Sequence, residues 1–420
     1  MTTSAIATSA GPRLGSRLAR SARSPVALWL AFAAVHAWLV YLAMNAPGLP
    51  LGDVSHVYTS WMARAADGYV LGIDGPWVYP ILAIAPIAAA AVFGLGNYVQ
   101  AWLLLVVVLD AAAFAVLIGV RRGPAARHVA AWWWLAFLAM LGPIAIGRID
   151  AVTVPIALVA VLLAAGRPRL AAVLLTVAMW IKIWPAAVIA AFFITSRDRV
   201  RILVAVLGTS SVIILVALLL GSGWNVFSFI SEQTGRGIQI ESPVAAIWMW
   251  QAAAGVPGAS VYYDHDILTF QVTGQGTEIA SAVMTPLLVL VVGSIVAIGV
   301  RSQLRGAAFG AIFPPLTLAL VLAFIVINKV GSPQFICWLA VPIVIGLVYR
   351  GRRYRLPALA ALALAGLTQS IYPYLYDWLL IADPALVTLV TVRNLLEIGL
   401  LVWAVVAVWK SGSGTHEAAD

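Results

Sequence analysis

Residues 170–195 read LAAVLLTVAMWIKIWPAAVIAAFFIT, an apolar run interrupted by Lys182 and Pro185. Its length suits one crossing of a bilayer, which takes roughly 20 apolar residues. One crossing would set Arg197, Arg199 and Arg201 on the opposite side from Arg167 and Arg169. Cytoplasmic connections gather Lys and Arg, so that arrangement breaks the charge rule. Two short helices meeting near Lys182 bring both Arg clusters to one side. Broken helices of this kind are tolerated where they line a cavity or are buried in protein.

Working outward, further spans are expected near 26–45, 98–120, 129–146, 151–166, 202–221, 283–300, 308–327, 333–349, 356–371 and 386–409. The predicted fold is therefore an all-α integral membrane protein of about twelve transmembrane helices with short interfacial helices in its outer loops. Residues 26–409 form the membrane domain between cytoplasmic tails at 1–25 and 410–420. The run Ala27–Ala43 is followed by no clear small-residue cleavage site, so it reads as an uncleaved first helix.

Composition agrees. With 63% hydrophobic and only 10% charged residues, and a mean hydropathy of +1.00, the chain is excluded from the water-soluble globules. Its net charge of +9 lies in short clusters at the ends of apolar runs. That pattern is membrane orientation and gives no support to nucleic-acid binding. The single cysteine, Cys337, excludes an intramolecular disulfide and a Cys-based metal site.

Six of the 25 basic residues depart from the Arg-rich side: Arg64, Arg148, Lys182, Arg236, Lys329 and Arg393. Eleven of the 16 acids share the outer side with them. Ionisable groups at membrane depth are costly and usually functional, so a site is expected on that face, formed by the outer connections 46–97 and 222–282.

Asp53 opens the first connection, immediately before a one-sided segment carrying Val54, Val57, Tyr58, Trp61, Met62 and Ala65 at helical spacing. That segment is expected to lie in the membrane interface with its aromatic face down. Asp53 could take a proton from a hydroxyl at the membrane surface, or could simply cap the helix. Trp77 and Tyr79, in Trp77-Val78-Tyr79-Pro80, suit stacking on a sugar or anchoring at the headgroups. Lys182 needs an anionic partner, either Asp150 in the short turn Arg148-Ile149-Asp150 or a phosphate. The stretch 236–242, RGIQIES, gathers Arg236, Gln239 and Glu241, and Asn328-Lys329 precedes Ser332-Pro333-Gln334. The fork of an Arg suits phosphate, whereas amides and carboxylates suit sugar hydroxyls. Asp264-His265-Asp266 is expected to be an ordinary polar loop and no metal site is predicted. His36 and Asp110 are expected to pack or hydrogen-bond between helices, and Arg393 and Glu397 to neutralise each other. No glycine-rich nucleotide loop is present, so an enzyme here needs a donor already activated by a lipid phosphate.

The combination of Asp53, Val78-Tyr79-Pro80, Lys182-Ile183-Trp184-Pro185, RGIQIES and Lys329 with Ser332-Pro333-Gln334 resembles the family 87 glycosyltransferases, actinobacterial membrane enzymes of the GT-C class. The resemblance implies an inverting mannosyltransferase at the outer face of the plasma membrane. It would move mannose from a polyprenyl-phosphate donor to a lipid-anchored mannoside in α-1,2 linkage, without a cofactor. In that scheme Asp53 is the general base. Arg236, Lys182 and Lys329, with Arg148 more weakly, hold the donor phosphate, and His56, Tyr58, Trp77, Tyr79, Gln239, Glu241 and Gln334 contact sugar or acceptor. The alternatives are an arabinofuranosyltransferase using polyprenyl-phosphate arabinose and a transporter of lipid-linked sugars.

Overall fold

The computed structural model describes residues 24–119 and 125–412. Most of the expected tail 1–25, the Arg121-Arg122 pair and residues 413–420 lie outside the described residues. The described chain is mostly helical. Eight helical stretches are long and apolar enough to cross a membrane: Pro25–Asn45, Leu95–Ile118, Ala125–Ala145, Arg199–Leu219, Thr277–Leu304, Phe309–Val326, Pro333–Tyr374 and Pro384–Ser411. The Pro333–Tyr374 stretch holds two helices, Ala340–Arg350 and Arg355–Gln369, joined by a turn that begins at Gly351. Gly351 adopts a positive φ of 52°, which closes the first helix and favours glycine.

Three shorter apolar helices, Asp150–Leu163, Pro168–Ile181 and Pro185–Thr195, complete the set. The break expected within 170–195 is present. Pro168–Ile181 stops at Lys182, whose backbone is extended (φ −150°, ψ 134°), and the chain re-enters helix at Pro185. Proline cannot continue the preceding hydrogen-bond ladder but is well suited to a first turn, which is why the interruption falls here.

Burial sorts the helices into centre and rim. Phe309–Val326 is 78% buried and packs on Pro384–Ser411, Pro185–Thr195 and Ala340–Arg350. In the most apolar 18 residues of Arg199–Leu219 and of Thr277–Leu304 only 17% of the residues are buried, although these helices are as apolar. A helix that is apolar all round must be enclosed by protein or by hydrocarbon, and these two rim helices present Val204, Leu207, Val289 and Leu290 outward. Inside the bundle His36 Nε2 meets Asp110 Oδ2 at 3.1 Å, an interhelical hydrogen bond between Pro25–Asn45 and Tyr98–Ile118.

The all-α expectation needs one correction. Ser260–Asp264 (β1) and Thr269–Thr273 (β2) form an antiparallel hairpin, with Val261 opposite Val272. Val, Tyr, Phe and Thr dominate both strands, and such residues favour extended backbone. Asp264-His265-Asp266 opens the turn, where Asp264 Oδ1 accepts from the Asp266 and Ile267 amides. RGIQIES lies along β2: the Val272 amide donates to the Ile238 carbonyl at 2.9 Å and the Ile240 amide to Phe270 at 3.3 Å.

The two long connections, 46–97 and 222–282, are joined to each other. Ser222 Oγ donates to the Gly72 carbonyl (2.6 Å), Asn225 to Ile73 (2.8 Å), and the Trp77 amide to Ser228 Oγ (2.8 Å). On the first connection, Asp53–Tyr58 is a wide helical turn running into Thr59–Ala66. Its apolar face docks on protein, with Val54 and Tyr58 fully buried and the Tyr58 ring 5.3 Å from Trp102.

The far end of RGIQIES is held by the last helix. Arg393 Nη1 pairs with Glu241 Oε2 at 2.5 Å, its Nη2 donates to the Glu241 carbonyl at 2.6 Å, and its Nε lies 3.5 Å from Glu397. The expected Arg393–Glu397 pair is thus shared with a third residue 152 positions away. Taking the cation out of such a buried cluster leaves uncompensated carboxylate, at a cost of about 3–5 kcal/mol. Arg393→Leu is accordingly expected to lower the thermal unfolding midpoint of the detergent-solubilised protein by several degrees. An unchanged midpoint would deny the cluster its structural role.

Candidate active site

Asp53 is the first residue of the wide turn, one position inside its N-cap, Gly52, so its carboxylate does not stand at the capping position. It lies 3.3 Å from Arg148 Nε instead, 31% exposed against 11% for the Arg148 side chain. The cap is therefore not its role. Arg148 stands in the short turn before Asp150–Leu163 and is largely committed within the protein. Nη1 donates to the carbonyls of Pro50 (2.6 Å) and Gly147 (3.0 Å), and Nη2 to Tyr372 Oη (3.1 Å). Few of its five donors remain for a substrate phosphate.

Next to this pair, Tyr58 Oη accepts from the Ile149 amide (3.2 Å) and lies 3.4 Å from Tyr79 Oη. Burial raises the Tyr79 phenol above its ordinary value, with Lys182 acting in the opposite direction, so it stays a neutral hydroxyl. Lys182 Nζ lies 4.7 Å from the centre of the Tyr79 ring and 6.0 Å from Phe335, a cation held over aromatic faces. Its nearest carboxylate is Asp150, 3.8 Å away. Asp150 is itself fixed by Trp338 Nε1 at 2.7 Å, and Trp338 stacks on Trp184. Asp150 is thus the anionic partner that the sequence demanded for Lys182.

Arg236 completes the cationic side. Its charge is felt at Lys182, and burial pulls its guanidinium below the usual value, with Tyr79, Glu232 and Asp264 opposing. Among the described residues no acceptor meets its buried Nε. Ser281 links it to Lys329: Ser281 Oγ donates to the Arg236 carbonyl (3.1 Å) and accepts from Lys329 Nζ (3.1 Å). The Lys329 carbonyl in turn accepts from the Gln239 amide at 2.9 Å. RGIQIES is hemmed in on both sides, because a side chain at Gly331 would overlap the backbone of Glu241 and Ser242 and one at Gly237 would overlap Gln271.

The structure brings Asp53, Arg148, Tyr58, Tyr79 and Lys182 together, with Arg236 within electrostatic reach. Trp77 is 4% exposed, edge-on to Trp61 and Tyr79, with its indole nitrogen buried and unpartnered among the described residues. His56 is exposed and hydrogen-bonded to Ser55 (2.8 Å). Gln239 accepts from Ser332 Oγ (3.3 Å), and Gln334 is half-buried beside Phe335. Glu241 is 1% exposed and committed to Arg393. The narrow cleft beside it, lined also by Ser332, Phe335 and Glu397, offers room for about one water molecule. Tyr372 and Trp338 had drawn no notice in the sequence.

The glycosyltransferase family 87 model matches residues 77–313, more than half of the chain, and the protein belongs to that family of membrane glycosyltransferases. Asp53 and Lys329 lie on either side of the matched segment. No curated protein and no solved structure matches the chain.

Lys182→Ala and Arg236→Ala are expected to raise the Michaelis constant for a lipid-phosphate sugar donor while leaving that for a phosphate-free acceptor nearly unchanged, since these cations suit a phosphate. Lys182→Arg is not expected to rescue, since a planar fork replaces a compact charge between two rings. Unaltered donor kinetics in folded variants would remove both residues from the site.

Proposed function

We propose that this chain is an inverting glycosyltransferase that moves mannose from a polyprenyl-phosphate donor to a lipid-anchored mannoside, forming an α-1,2 linkage at the outer face of the plasma membrane. The observation that carries the proposal is a partly exposed Asp53 carboxylate, one position inside the N-cap, whose charge is felt at Tyr79 and at the Lys182 cation. Asp53 removes the proton of the acceptor hydroxyl as its oxygen attacks the anomeric carbon. The bond from that carbon to the phosphate oxygen breaks on the opposite face, and the polyprenyl phosphate leaves with the electron pair. A single displacement inverts the centre and needs one base; retention would call for a second carboxylate about 5 Å away acting as nucleophile. Lys182 and Arg236, with Lys329 behind them, stabilise the departing phosphate as fixed charges that need no reorganisation. Tyr79 walls the sugar, backed by the buried Trp77 and Tyr58, with Gln334 and His56 toward the acceptor and the buried Gln239 behind them.

The orientation belongs to the same proposal. Counting the three short helices and both arms of the stretch from 333 to 374 gives twelve crossings in the membrane domain 26–409, both tails cytoplasmic and the connections 46–97 and 222–282 outside. In a Cys337→Ala background, a cysteine replacing Asp266 is expected to react with an impermeant thiol reagent added to intact cells, and one replacing Arg352 is not. The reverse pattern would turn the protein over in the membrane.

Asp53→Asn tests the chemistry. The amide keeps the size of the carboxylate but cannot accept the proton, and loss of general-base assistance typically costs on the order of a hundred- to ten-thousand-fold. Turnover is expected to fall by that much with donor binding preserved, when purified protein is incubated with labelled polyprenyl-phosphate mannose and a lipid acceptor. Transfer within a few-fold of the unaltered protein would require another base. Arabinose supplied on the same lipid phosphate identifies the sugar, since nothing in the cationic side distinguishes the two donors.

A further inference from the structure

Three stretches far apart in sequence meet behind Asp53. Tyr372 Oη accepts from Arg148 Nη2 at 3.1 Å, and its hydroxyl points at the carbonyls of Gly48 (3.0 Å) and Leu49 (3.2 Å). Arg148 Nη1 holds the next carbonyl, that of Pro50. The backbones are also in direct contact. Gly48 has a φ of +70°, and a Cβ there would lie 2.7 Å from the Pro373 carbonyl oxygen; a Cβ at Gly147 would lie 2.5 Å from that of Pro50. The loop thus rests on Gly147 on one side and Pro373 on the other. Three residues beyond Pro50, Asp53 reaches Arg148 Nε.

We propose that Tyr372 is a positioning residue for the transfer reaction. It acts through Arg148 and the Gly48–Leu49 carbonyls to fix the direction of the Asp53 carboxylate. The inference rests on the assignment of Asp53 as the base. Its hydroxyl touches both the guanidinium that meets Asp53 and the loop from which Asp53 projects. Without it, a guanidinium N–H and a loop carbonyl lose their partners in a largely buried junction. Displacement of a catalytic group by about 1 Å can cost on the order of a hundredfold in rate without weakening substrate binding. Arg148 falls to the same role, with its donors committed to Pro50, Gly147 and Tyr372 instead of to a phosphate.

The test is Tyr372→Phe, which keeps the ring against Tyr376 and removes only the hydroxyl. Turnover by the full-length protein is expected to fall by roughly ten- to a hundredfold with the donor Michaelis constant within twofold of the unaltered value. Amide hydrogen exchange should rise in residues 46–53 and stay unchanged in the transmembrane helices. In an Asp53→Asn background the same change should cause little further loss, because both act on one step. Normal turnover together with normal exchange at 46–53 would overturn the proposal, as would an equal fold-loss in both backgrounds or a raised donor Michaelis constant. Near-normal transfer by Asp53→Asn, with a loosened loop in Tyr372→Phe, would sink the base assignment and leave the clamp standing.

Discussion

A charge withdrawn from water must be met by other charges or by oriented dipoles, and the face that carries the candidate site is organised around that requirement. Arg148 is the clearest case. Its guanidinium sits almost wholly inside the protein, and its acceptors come from Pro50, Gly147, Tyr372 and Asp53. Satisfying one buried cation therefore gathers an N-terminal loop, the turn before Asp150–Leu163 and the segment leading into the last helix. The packing of Gly48 on Pro373 and of Gly147 on Pro50 follows from that gathering.

A second buried guanidinium arranges the opposite wall. Arg393 receives the carboxylate and carbonyl of Glu241, so RGIQIES ends on the last helix while its middle pairs with β2 and its Gln239 amide bonds to Lys329. Arg236, at the free end of the same short segment, is thereby carried to within electrostatic range of Lys182. Asp53 and Arg236 are thus set by separate anchors, one for each long connection, and the hydrogen bonds of Ser222, Asn225 and Ser228 join the two connections.

What was legible in the sequence followed from periodicity and from charge parity. The break at Lys182 could be placed to within a few residues because Arg clusters on both sides constrain the number of crossings and Pro185 marks where a helix can restart. Asp150 was legible as one of two candidate partners of Lys182, beside a phosphate, because a lone ammonium at depth limits the choices. The hairpin was obscured by its shortness: five-residue strands inside an apolar chain give little alternation to detect. Tyr372 was out of reach, since its bond to Arg148 spans 224 positions and nothing local marks a tyrosine that serves a distant loop. Glu241 misled for the reverse reason, because a carboxylate beside an Arg and a Gln has the composition of a sugar site, and its true partner lies in another helix.

The two arginines also bear on which carboxylate can do chemistry. Each pairs one acid and binds backbone carbonyls, so by charge alone Asp53 and Glu241 are equivalent candidates for a base. Exposure separates them. The Asp53 side chain is 31% exposed and meets its arginine at 3.3 Å through Nε, which leaves part of the carboxylate surface open. The Glu241 side chain is 1% exposed, and the cleft beside it is the size of a water molecule. To accept a proton from a sugar, Glu241 would have to leave Arg393, releasing both the segment that carries Arg236 and a buried cation. The same ion pairing therefore builds an anchor where it is sealed and leaves a carboxylate accessible where it is open at one edge.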